Sequence, residues 1–450
     1  MMNISKILQL SLVKNTLKLS SSSALLMFLP LLVTPILSRL YTPEDYGDWG
    51  VFSSVFYIIN SFLFLSYENT IVKSNRKEDV PVLLGLCAIV ASIIILLTIV
   101  VFSLGKLLNI SFFDNYPSLT LLVTLLSAQA IHTLANNVAN REKKYGLMSI
   151  SNVIGGISQA SLRIALGMYP LVSYGLIIGN VFAQIITTLF IVVGLIYSIS
   201  IYWKEVTFSK IKEQATSNWK FPLFDAPARF VELSLSNFAL IIMTFFWDKS
   251  RIGCYSMVTQ FIILPISIVG SAMGSVFYRE LSENIDNKEI ITKTTRNACR
   301  ISFFLSFLPL VFFVLGGDYL LALVLGSKWE ASGTMALCLC IYSVPLILSE
   351  PLLPVFRSLD RQEIRFKLNL ISFVCSLGAL LIAAYITKNL YFSIIIYSLF
   401  SGFVRYLMFF SIIRLTQVHI SSISKYFIHL SIFFYVLLIV KLCVKYYINI

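Results

Sequence analysis

Four stretches of this sequence carry polar and charged side chains at helical spacing inside otherwise apolar runs. Asp225, Arg229, Glu232 and Ser236 are separated by 4, 3 and 4 residues, which places them on one helix face. Asn152, Gly156, Gln159 and Arg163 repeat that spacing. Ser398, Ser401 and Arg405 share a face in a third run, and Gln129, Thr133, Asn136 and Asn140 in a fourth. Glu350 lies in a proline-rich run, SVPLILSEPLLPVF, with Pro345, Pro351 and Pro354. A charged side chain at the centre of a bilayer costs on the order of 3 kcal/mol on insertion scales, so these groups point inward. There they can hold helices together through hydrogen bonds and ion pairs, or line a passage for a charged ligand. Asp225 and Arg229, at i and i+4, can neutralise each other. Arg163 and Arg405 have no carboxylate within helical reach on their own runs. Proline removes a backbone hydrogen bond from the helical ladder, so a kink is expected where Glu350 enters.

The elements that must position these residues are the apolar runs themselves. Hydrophobic residues make up 57% of the 450 and charged residues only 13%, with a mean hydropathy of +0.84. A bilayer core about 30 Å thick needs roughly 20 apolar residues as helix. Runs of that kind lie at about 16–40, 47–67, 82–104, 117–138, 147–167, 171–199, 222–247, 253–277, 301–323, 331–356, 366–387 and 390–414, with a weaker one at 427–444. The sequence predicts an all-α polytopic membrane protein with about twelve spans and a candidate thirteenth. The first run is too long for a signal peptide and is read as a retained helix. The segment before it mixes apolar and polar residues, as interfacial helices do. The loops are too short to hold a soluble catalytic domain.

The net charge of +13 is explained by sidedness. Lys and Arg in alternate loops, starting with the N-terminus, outnumber those in the opposite loops by about four to one. That asymmetry places the N-terminus in the cytoplasm and leaves no basic excess calling for a nucleic-acid partner. The seven cysteines are odd in number, none forms Cys-x-x-Cys, and the three histidines are scattered. Neither a disulfide framework nor a metal site is expected, and no cofactor is implied.

A polar stretch, WKEVTFSKIKEQATSNWK, separates six runs from six. It divides the chain into an N-terminal six-helix bundle at 1–200, a cytoplasmic linker at 201–220, a C-terminal six-helix bundle at 221–414 and an extension at 415–450. A shift of 206 residues lays Tyr46-Gly47 on Ile252-Gly253 and Val51-Phe52 on Met257-Val258. With six spans per half, the halves are parallel repeats about an axis along the membrane normal, around a central cavity.

The stretch 38–52, SRLYTPEDYGDWGVF, carries Arg39, Pro43, Glu44, Tyr46 and Gly47 between the first two runs. It resembles the first outer loop of the polysaccharide transporter family, in the multidrug/oligosaccharidyl-lipid/polysaccharide exporter superfamily. Further matches are REKKYGLMSISNVIGG at 141–156, GLIIGNVFAQI at 175–185, WKFPLFDAPARFVE at 219–232 and LPISIVGSAMGSVFYREL at 264–281. The resemblance implies alternating access, and a flippase for undecaprenyl-diphosphate-linked oligosaccharide repeat units in the bacterial inner membrane, as used for O-antigen, capsule and related polymers. Membrane lipid surrounds it, and a polymerase and a chain-length regulator of the same pathway are the implied partners.

Such a substrate carries its charge as a diphosphate, which needs fixed cations along its route. Arginine suits this, because its planar fork stays charged and binds phosphate bidentately. Arg163, Arg229 and Arg405 are the candidate substrate-binding residues, and Asp225, Glu232 and Glu350 the candidate ion-coupling residues. Two other classes compete. An ion-coupled exporter of small cationic compounds would predict carboxylates dominating the cavity. A membrane-embedded polymerase or glycosyltransferase would predict a long outer loop or an Asp-x-Asp motif, and this sequence has neither. No catalytic residue is expected.

Overall fold

A computed structural model describes residues 29–74, 78–169, 174–199, 206–284, 287–419, 433 and 435–444. They form α1 (Leu29–Leu40), α2 (Pro43–Phe62), α3 (Glu68–Lys73), α4 (Asp79–Leu107), α5 (Leu119–Arg141), α6 (Tyr145–Gly167), α7 (Gly175–Ile199) and α8 (Phe208–Ser217). A π-helical turn at Phe221–Asp225 leads into α9 (Ala226–Thr244), followed by α10 (Lys249–Glu283), α11 (Lys288–Val314) and α12 (Gly317–Leu325). The chain continues through α13 (Glu330–Ser349), α14 (Pro354–Ser358), α15 (Gln362–Thr387), α16 (Leu390–Leu415) and α17 (Tyr435–Val444).

Nine helices among the described residues are long and apolar enough to cross a membrane. They cover nine of the expected runs. The other three runs are met by α1, α2 and α6, the part of the first run before Leu29 lying outside the described residues; α2 and α6 are 20 and 23 residues long. An α-helix of about 20 residues spans about 30 Å, so α2 and α6 are long enough too. Their lower hydropathy comes from the polar positions that they carry.

The described residues up to Tyr41 and Asp48–Asn237 form one compact unit, and Thr42–Gly47 with the chain from Phe238 onward a second. In the first unit α7 packs between α5 and α6, and α8 lies against α4. The Tyr67 hydroxyl donates to the Ala215 carbonyl at 3.2 Å, which ties α8 to the turn before α3. The linker predicted at 201–220 therefore contains a helix in its described part. In the second unit α13 is the core: nearly every residue from Ser332 to Ser349 is buried, against α10, α11, α12 and α16. A helix that is apolar all round belongs inside its bundle.

One boundary differs from the sequence reading. The predicted run 301–323 is not one helix. α11 begins earlier, at Lys288, and stops at Val314, where Gly316 adopts φ +114° and starts α12. That backbone conformation is open to glycine and strained for residues with a Cβ. α10 also carries a proline inside it. The helix is continuous through Pro265, and its glycines make room for a neighbour. A Cβ at Gly270 would stand 2.7 Å from Glu350 Cγ, and one at Gly274 3.4 Å from Pro354 Cγ. The expected kink is present opposite them: α13 ends at Ser349, Glu350–Leu352 form a 3-10 turn, and Pro354 starts α14.

The internal repeat has a physical counterpart. Thr42 caps α2: its backbone N–H and hydroxyl donate to the Asp45 carboxylate at 2.8 and 2.9 Å, and the Asp45 N–H donates back at 3.3 Å. This is a reciprocal capping box with Pro43 at the first helical position. The first turn of α2 then meets the first turn of α10. A Cβ at Gly47 would overlap the Lys249 carbonyl oxygen, and one at Gly253 would overlap the Pro43 carbonyl oxygen. The 206-residue shift relates Pro43 to Lys249 and Gly47 to Gly253, so each repeat-mate glycine faces the other's helix start. Tyr46 closes this contact edge-to-face on Trp329, ring centroids 5.2 Å apart.

The described part of the run at 427–444 is helical and docks on the second unit. The Tyr435 hydroxyl donates to the Ile341 carbonyl at 2.9 Å. The Lys441 ammonium donates to the Phe313 carbonyl and to the buried Asp318 carboxylate, both at 2.7 Å. One lysine thus satisfies the end of α11 and the start of α12 at their break.

Gly47→Ala or Gly253→Ala should destabilise the protein by roughly 1–3 kcal/mol, because backbone carbonyls must part. Gly146→Ala and Gly378→Ala, with open space at Cβ, should not. Thermal unfolding in detergent reads the difference. Lys441→Met, which strands the Asp318 carboxylate, should cost on the order of 3–5 kcal/mol. Adding Asp318→Asn should recover much of that loss on the same measurement.

Candidate functional site

Arg163, near the end of α6, is buried at 8% exposure. Its guanidinium lies over the Trp49 ring, 4.2 Å from the centroid, a cation–π contact. Gln159 and Arg163 both donate to the Asn180 side-chain oxygen of α7, the latter at 3.5 Å. The Arg163 carbonyl accepts from the Tyr41 hydroxyl at 2.7 Å, and the Tyr41 ring fills the space that Gly167 and Gly175 leave open. The α6 stripe is therefore interhelical glue at Gln159, and its arginine is held by the first unit's own aromatic groups. In the α5 stripe the contact stays within the helix, Gln129 donating to Thr133 at 3.1 Å.

Arg229, in the second turn of α9, is different. Its guanidinium donates to Glu68 at the start of α3; the arginine side chain is 41% exposed, the glutamate 4%. The expected i,i+4 pair with Asp225 does not form among the described residues. Asp225 ends the π-helical turn, where residues no longer follow the α-helical register, and it is exposed, as is Glu232. Phe230 packs against Phe62 with centroids 4.5 Å apart, fixing α9 beside the end of α2 and hence beside α3. Glu68 escaped the sequence reading because it sits in a short polar segment between two runs. Nothing in its own helix marks it as buried.

Arg405 of α16 donates to Glu350 at 2.9 Å, the two side chains 21% and 30% exposed. The structure thus joins two of the residues singled out in the sequence, the arginine and the kink carboxylate. Ser398 and Ser401 of the same stripe are fully buried, and Gly402 lets Pro345 of α13 approach, a Cβ there lying 3.1 Å from its ring carbon. Beside the pair runs an apolar groove of about 760 Å³ whose wall includes Pro265, Leu308, Pro309 and Leu320. Gly270 and Pro351 also line it, and Gly270 is the glycine that Glu350 approaches.

The described residues therefore offer one half-exposed arginine on a buried carboxylate, one partly exposed ion pair beside an apolar groove, and one buried arginine on an indole. What they can do is hold charge inside a low-dielectric bundle and present part of it to a ligand.

Comparison with solved structures shows the same fold in several transporters. The lipid II flippase MurJ in an inward closed conformation superposes with a TM-score of 0.68 at 12% identity, over 93% of this chain and 91% of that one. An inward-facing multidrug resistance MATE family transporter of the MOP superfamily gives 0.65 at 15% identity, over 87% and 94%. A MOP superfamily transporter from Pyrococcus furiosus gives 0.59 at 18% identity, over 90% and 96%. The fold is thus that of the superfamily whose bundle architecture the sequence predicted. A search of curated protein sequences finds no significant match. The profile of the polysaccharide biosynthesis protein family matches residues 36–334, most of the chain, and the protein is a member of that family.

Proposed function

We propose that this protein is a flippase. It moves undecaprenyl-diphosphate-linked oligosaccharide repeat units, of an O-antigen or similar surface polysaccharide, across the bacterial inner membrane by alternating access, with its N-terminus in the cytoplasm. The observation that carries the reading is the family match over residues 36–334, whose family is one of polysaccharide biosynthesis. The fold shared with a lipid II flippase supports it.

The site chemistry agrees with an amphipathic anion. Arg229 presents a fixed positive charge that is 41% exposed, suited to a phosphate that has left water. Arg405 pairs with Glu350, whose neighbours Gly270 and Pro351 line an apolar groove, where an isoprenoid chain would find apolar walls. The Arg163 guanidinium lies over Trp49, whereas Arg229 and Arg405 each keep a partly exposed side chain for a ligand. Glu350 remains the coupling candidate in contact with a substrate arginine, whereas Asp225, in the π-helical turn, and Glu232, on α9, are exposed. The shared fold of a multidrug transporter makes an ion-coupled exporter of small compounds the second reading. The half-exposed cation at Arg229 favours an anionic substrate over a cationic one.

Arg229→Ala should abolish complementation of a flippase deletion while the protein stays at normal levels in the membrane. Arg229→Lys should restore only part of it, because a point charge replaces a bidentate fork. Were the pair with Glu68 only structural, the Glu68→Gln, Arg229→Gln double variant would regain full polymer export, since removing both charges leaves none stranded. Surface polysaccharide measured on gels decides between the two.

A further inference from the structure

Glu68 stands out among the carboxylates in how it is buried. It is the first residue of α3, its side chain is 4% exposed, and Arg229 donates to its Oε1. Its other oxygen, Oε2, is buried with no hydrogen-bond partner among the described residues. Burial of a carboxylate without full hydrogen bonding is unfavourable, so the position is costly to keep. The surrounding contacts hold it there. Thr70, two residues on, donates to the Tyr67 carbonyl at 2.7 Å, Tyr67 is tied to Ala215, and Phe62 packs against Phe230.

The exposure of the pair is lopsided. The carboxylate is enclosed and the arginine is half open, so an incoming anion can reach Arg229 without first reaching Glu68. A carboxylate and a phosphate oxygen ask the same thing of a guanidinium: charge-assisted N–H donors at hydrogen-bond distance. Resting on the reading of Arg229 as a phosphate contact, we propose that Glu68 is an internal anion that occupies Arg229 in the ligand-free protein and competes with the substrate's diphosphate for it. Glu68 then sets affinity. It keeps the arginine oriented and compensated while no ligand is bound. It also weakens binding enough that the diphosphate can leave again on the far side. A site that must release what it binds gains nothing from a cation with no internal competitor.

The test is binding of farnesyl diphosphate, a short soluble isoprenoid diphosphate, to the purified full-length protein in detergent by calorimetry. Thermal unfolding of each variant establishes that it is folded. Glu68→Gln keeps the shape and removes the charge, and should tighten binding by about tenfold relative to the wild type. Arg229→Gln should weaken binding by tenfold or more, and the double variant should bind no more tightly than Arg229→Gln. A merely structural glutamate cannot produce tighter binding. If Glu68→Gln does not fold, Glu68→Asp, whose shorter side chain withdraws the carboxylate from the guanidinium, should tighten binding in the same direction. Unchanged or weaker binding in the folded Glu68 variant, with Arg229→Gln impaired, overturns the proposal and leaves the Arg229 reading standing. Wild-type affinity in Arg229→Gln overturns both.

Discussion

A charge carried into hydrocarbon has to meet an opposite charge, a polarisable ring or a ligand, and the polar chemistry of this protein is organised by that constraint. Arg163 finds an indole, Arg229 a buried glutamate, Arg405 the glutamate of a broken helix, and Lys441 an aspartate at a helix break. In each case the partner comes from a different helix. Polar groups in a bilayer have few alternatives to one another, so these pairs specify which helices are neighbours where apolar burial alone would not.

The broken helices follow from the same requirement. A backbone interrupted at membrane depth leaves donors and acceptors that must be satisfied inside the protein. At the break between α11 and α12 the Lys441 ammonium takes up the Phe313 carbonyl. At the break after Ser349, glycines of α10 let the interrupted segment pack close against an unbroken helix. Irregular backbone is affordable here because another helix stands ready beside it, and in the second case it delivers Glu350 to Arg405.

The spans were legible in the sequence because hydropathy acts on a whole run, and an error of a few residues at each end does not change its identity. The stripes were legible too, as faces with polar spacing, and the kink at Glu350 followed from three prolines. Partners were not. Helical spacing reports neighbours on the same helix, so it offered Asp225 to Arg229, whereas the π-helical turn at Phe221–Asp225 shifts that register and Glu68 arrives from another element. The resemblance at 38–52 pointed to a family, and the structure gives its residues physical tasks. Tyr41 packs on the glycines around α6 and α7, Thr42 and Asp45 cap α2, Gly47 admits a crossing backbone, and Trp49 holds Arg163. The break at Gly316 had a signal, the paired glycines at 316–317, which the continuous hydropathy on either side hid.

The most direct measurement concerns the lipid carrier itself. In a strain lacking this gene, lipid extracts should contain undecaprenyl-diphosphate repeat units that accumulate on the cytoplasmic face, out of reach of an impermeant sugar-modifying reagent added from outside. Re-expression should clear them and restore polymer. Repeat units that do not accumulate, or that stand on the outer face awaiting polymerisation, would contradict a flippase and return the protein to the exporter reading.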